Sequence, residues 1–165
     1  MKRTFALALA IAWHLAAHAA DLIPADVAGS WGTAASLDAG DTEQSVLHLQ
    51  ADGYGMMAGS TPPAKHMDGV DDGKPGPRAV IGFPVRATLD GDTLQLRPFL
   101  PRGAPAEQAA QAARVVLTCR HDAAGLALAC TVPDGKTLIL HRLGAALPPE
   151  AKEMLTALKA QDGGS

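Results

Sequence analysis

The sequence predicts an all-β protein: an eight-stranded antiparallel up-and-down barrel with a short C-terminal helix. Three observations predict it. Short stretches of alternating apolar and polar residues recur along the chain. Tight turns containing Asp-Gly join them at hairpin spacing. The stretches number eight, at residues 31–36, 45–51, 54–59, 79–89, 92–98, 114–120, 126–132 and 137–143. Eight sequential antiparallel strands favour closure, because a closed barrel has no exposed edge to protect. A two-sheet sandwich is the alternative arrangement.

The chain divides into residues 1–19, a signal peptide; 20–146, the barrel domain; and 147–165, a helix and tail. In MKRTFALALAIAWHLAAHAA, a basic start precedes an apolar run, and Ala17-His18-Ala19 supplies small residues where a signal peptidase reads. The run is shorter than the roughly 20 residues that span a bilayer. No cysteine follows the small residues, so the lipid-anchored bacterial route lacks its attachment point. The expectation is a soluble periplasmic or secreted protein, with no integral membrane segment in the mature chain. Without Lys2 and Arg3, 12 basic side chains stand against 17 acidic ones, a net charge of −5. No basic footprint for nucleic acid remains.

The hairpins specify faces. In SVLHLQADGYGMMAG, a two-residue turn at Asp52-Gly53 sets Ala51 opposite Tyr54, Leu49 opposite Met56 and Leu47 opposite Ala58, with His48 and Met57 on the other face. In RATLDGDTLQLRPF, a turn at Asp90-Gly91 sets Ala87 opposite Leu94 and Val85 opposite Leu96. In RVVLTCRHDAAGLALACTVPDGKTLILHRL, a turn at Ala124-Gly125 places Cys119 directly across from Cys130, and an exported chain keeps such a pair as a disulfide. A type I turn with a bulge at Pro133-Asp134-Gly135 directs Leu138 and Leu140 to the side of Leu126 and Leu128, with His141 outside and Arg142 inside.

Two longer connections interrupt the meander. Residues 60–77 are polar and rich in Gly and Pro, a lid or an insert without fixed structure. Residues 105–113 carry a short helix that begins at a proline. A final helix starts near Pro149, with Met154, Leu155 and Leu158 on one face.

At Gly29-Ser30-Trp31 the chain resembles the lipocalins and the wider calycin group, whose first strand opens with a Gly-x-Trp motif. The resemblance implies that Trp31 plugs the closed end of the barrel and that Arg142, in LILHRL, packs over it. The residues support this physically: glycine permits close backbone approach, and an indole fills volume where strands converge.

In the barrel reading, Leu49, Tyr54, Met56, Phe83, Val85, Leu94, Leu96, Leu117 and Leu128 line the interior, with Leu47 beside them. Barrels of about eight strands either fill with side chains or hold one small ligand. The leading expectation is therefore an exported, non-enzymatic barrel that binds a small apolar molecule without a cofactor. The alternative is an envelope interaction module or inhibitor with a solid barrel. A third reading, a periplasmic copper-binding protein, rests on His48, Met56, Met57, His66 and Met67. Asp68, Asp71 and Asp72 do not have the spacing of a calcium loop, and no nucleophile elbow, zinc-protease or phosphate-loop motif occurs.

Overall fold

The computed structural model describes residues 23–64, 76–100 and 102–163. The expected signal peptide, and His66, Met67, Asp68, Asp71 and Asp72, lie outside these residues. The strands are β1 (Gly29–Gly32), β2 (Gln44–Leu49), β3 (Tyr54–Ser60), β4 (Val80–Asp90), β5 (Thr93–Pro98), β6 (Leu117–Asp122), β7 (Ala127–Thr131) and β8 (Thr137–Gly144). Helix α1 (Ala106–Ala112) joins β5 to β6, and α2 (Pro149–Gly163) follows β8. Each strand pairs antiparallel with the next, and β8 returns to β1 to close the barrel.

Turn chemistry sets the registers. Between β2 and β3 the loop has three residues, Ala51-Asp52-Gly53: Gly53 N–H donates to Gln50 O at 3.0 Å, and Gln50 N–H donates to Tyr54 O at 2.8 Å. Gly53 holds φ at 81°, the left-handed position that completes such a loop. The expected two-residue turn is thus corrected by one residue: Leu47 faces Met57, His48 faces Met56, and Leu49 faces Gly55. Because side chains alternate, that slip turns all of β3 over. Met57 enters the core, while Tyr54 and Met56 face outward.

The β4–β5 loop is Gly91-Asp92, with Asp90 opposite Thr93, Ala87 opposite Leu96 and Leu89 opposite Leu94. This differs from the expected register by two residues, which leaves every side chain on its expected face. Cys119 faces Cys130 and is bonded to it. At the β7–β8 turn, Gly135 N–H donates to Val132 O at 2.9 Å and Val132 N–H to Lys136 O at 3.0 Å, the expected bulged turn. Leu128 faces Leu140, and His141 is exposed.

The inner faces form one core: Trp31, Leu47, Leu49, Met57, Val85, Ala87, Leu94, Leu96, Leu117, Cys119, Leu128, Cys130 and Leu140 are all buried. A smaller cluster seats α2 on the outer wall, where Leu147, Ala151 and Leu155 cover Tyr54 and Met56. Lys159 anchors the far half of α2 to Gln50 and Asp52 at the β2–β3 turn. Met154, expected on the packed face, is half exposed instead.

Candidate functional site

The two ends of the barrel differ. At one end the turn Pro24–Ala28 folds under the strands, with Ala28 N–H donating to Pro24 O at 2.7 Å. The Trp31 indole N–H donates to Val27 O at 2.8 Å, so a fully buried ring keeps its polar atom satisfied. The Arg142 guanidinium stands 5.0 Å from the ring centroid and donates to the carbonyls of Asp26, Ala25 and Ala28. Trp31 and Arg142 are also backbone partners, which brings β8 over the plug.

Gly29 makes room for this arrangement. Its φ is 136°, and a Cβ there would stand 2.5 Å from Gly144 O and 3.2 Å from an Arg142 nitrogen. His121 meets the Trp31 ring edge to face at 5.8 Å, and its buried Nε2 has no hydrogen-bond partner among the described residues.

Above the plug the barrel is solid. Leu47, Leu49, Leu94, Leu96, Leu128 and Leu140 are each 0% exposed, and Val85 1%. A void large enough for water would give these side chains exposed area, so no space for a ligand adjoins them. Five of the residues expected to line a ligand, Leu49, Val85, Leu94, Leu96 and Leu128, are therefore packing residues. Tyr54 and Met56 lie outside the barrel altogether.

Among the described residues the other end is open. Met57, Phe83, Val115, Leu117, Val132 and Leu138 surround an apolar cup of about 280 Å³, with Ala58, Gly59, Ser45 and Pro133 at its rim. Of the expected lining residues, Phe83 and Leu117 are the two that the structure brings to it. Met57 belongs there only after the register of β3 is corrected, and Val115 and Val132 lie just beyond strand ends, where alternation no longer reports a face. Ile81 continues the Phe83 face of β4 past the rim and is 72% exposed.

The stems of the long connection rise beside the cup. Thr61 N–H donates to Ala79 O at 3.0 Å and Ala64 N–H to Pro77 O at 2.9 Å, which prolongs the β3–β4 ladder. Arg78 fastens these stems to the β1–β2 loop, donating to the carbonyls of Thr42, Thr61, Ala39 and Gly40.

A second cavity, about 400 Å³, lies on the outer wall between Ser30, Ser36, Leu37, His48, Leu143 and Pro148. The Ser30 hydroxyl donates to Ala146 O at 3.1 Å and stands 2.9 Å from His48 Nδ1. A hydroxyl has one proton, so both bonds form together only when Nδ1 donates to Ser30; this assigns the His48 tautomer. Burial pushes the His48 pKa below its ordinary value. His48 faces Met56, not Met57, and among the described residues no group of three or more His, Cys, Asp or Glu side chains could hold a metal ion.

No family model matches the chain, and no curated protein matches it. A crystal structure of a lipoprotein YedD from Klebsiella pneumoniae subsp. pneumoniae is similar over 87% of this chain and 92% of that one, at 15% identity and a TM-score of 0.46.

Proposed function

We propose that this protein is an exported, non-enzymatic barrel of the calycin kind that binds one small apolar molecule in the cup at its open end. The observation that carries the reading is the cup itself: an apolar concavity, ringed by Met57, Phe83 and Leu138, opposite a sealed end. Pockets for drug-sized ligands span about 300 to 1,000 Å³ and are lined mainly by apolar side chains, so a cup of about 280 Å³ takes a smaller molecule. A cup of this size suits a small ligand held near the rim and partly open to solvent. The flexible Met57 side chain at the wall allows adjustment to shape. An N-terminal sequence of signal-peptide character and the Cys119–Cys130 disulfide support a periplasmic or secreted location.

A second reading is an envelope inhibitor or assembly factor that works through the rim. The solid interior and the exposed Ile81 favour it. The fluorescent probe N-phenyl-1-naphthylamine separates the two. Leu138→Trp, which fills the cup from a half-buried rim position, is expected to weaken probe binding about tenfold, the effect of losing one good apolar pocket contact. Unchanged binding in Leu138→Trp would reject the cup as the site.

A further inference from the structure

The outer wall of β3 and β4 carries a trough of about 450 Å³ beneath the exposed edge of α2, independent of the cup. Its floor is narrow because the cross-strand pair Ala58 and Gly82 has almost no side chain. Met56, Pro84, Met154 and Leu158 form the walls, and Val80, 55% exposed, stands at one end. Apolar lining in a concavity of this size is the usual form of a small-molecule site.

The opposite end is cationic. Two residues along the same outer face from Met56 and Pro84, about 6.6 Å by the strand rise, Tyr54 pairs with Arg86. The Arg86 guanidinium lies 3.7 Å from the Tyr54 ring centroid, and Lys159 Nζ lies 5.2 Å from it. Lys159 has Asp52 as its counter-ion. Among the described residues Arg86 does not have one: its cross-strand partner on β5 is Arg97, which contacts Gln95 Oε1 at 3.5 Å. Among the described residues no carboxylate pairs with either arginine. Like charges placed directly opposite each other are destabilising, and an anion between them removes that cost.

We propose that this trough is a binding site for a long-chain carboxylate, with the alkyl chain between α2 and the Ala58–Gly82 floor and the carboxylate against Arg86 and Arg97. The trough gives the chain walls on both sides of its floor, which suits a single free amphiphile more than a membrane surface. Planar guanidinium groups match a carboxylate in geometry as well as charge.

The test uses oleate below its micellar concentration and oleyl alcohol, which has the same chain and no charge, with binding to the disulfide-bonded protein read by calorimetry. Oleate is expected to bind one to one and more tightly than the alcohol, by about tenfold. Arg86→Gln with Arg97→Gln, both exposed, is expected to abolish that preference while the alcohol still binds. Gly82→Leu, whose added Cβ meets only ordinary contacts at 3.5 Å, is expected to abolish binding of both. Leu138→Trp, in the cup, is expected to leave oleate binding unchanged. Equal affinity for acid and alcohol would overturn the proposal, as would an unchanged preference in the double arginine variant. Binding to phosphatidylglycerol vesicles without binding to monomeric oleate would likewise overturn it and point to a membrane surface.

Discussion

Arg142 and Gly29 together explain how the plug is held. Arg142 reaches three backbone carbonyls of the N-terminal turn while stacking on Trp31, a set of contacts that a planar fork can make and a lysine cannot. It can do so only because Gly29 has no Cβ at a position where one would collide with Gly144 O. The substitution Gly29→Ala combines a strained φ with that collision, and it should lower unfolding free energy by about 3 kcal/mol in urea melts. Trp31 is the one tryptophan among the described residues, so in protein beginning at Ala20 its emission reports directly on the plug and should shift to the red in the same variant. Gly29, Trp31 and Arg142 stood out in the sequence because each is a residue type with few substitutes. His121, edge-on to the same ring, left no such signal, since its neighbours come from distant strands.

At the scale of strands and turns, the local sequence shows faces better than register. The loops QADGY and VPDGK turn out to be the same device, a three-residue loop ending in a left-handed glycine. In the second, only the bulged geometry turns Leu138 and Leu140 toward the side of Leu128, so its geometry could be read from the apolar pattern. The first admits both geometries, and the competing choice inverted β3, displacing Tyr54, Met56 and Met57 from their expected sides. A slip of two residues at β4–β5 had no such effect, because the period of a strand is two. The disulfide hairpin was legible because a two-residue turn at Ala124-Gly125 sets the chain's two cysteines directly opposite each other. Its closed loop has a sequence separation of 11. The double variant Cys119→Ala/Cys130→Ala should therefore keep the barrel but lose about 2 to 3 kcal/mol of stability, measured by denaturant titration.

Across the whole molecule, the barrel is polar in construction: plugged at one end, solid through the middle and cupped at the other. The strand count predicted the closure, whereas the depth of the filled region depends on side-chain volumes meeting across the barrel, which no local pattern reports. The wall outside carries its own sensitivity to pH. Burial lowers the His48 pKa in the folded protein, so above the ordinary value of 6.5 both states are neutral at this residue and stability is at its full level. As pH falls below 6.5 the unfolded chain takes up a proton that the folded chain resists, and stability is lost. The hydrogen-bonded carboxyls of Asp92 and Asp134 have lowered pKa values and act only at much more acid pH. A fall in Tm between pH 7.5 and pH 5 is accordingly expected, and His48→Gln should reduce it. The central claim concerns the cup, and native mass spectrometry of the protein purified from the cells that make it tests it most directly. The account predicts one small apolar molecule per chain, retained by Gly82→Leu and lost from Leu138→Trp. A bare protein mass in every case, or an apolar ligand that Gly82→Leu loses and Leu138→Trp still carries, would contradict it.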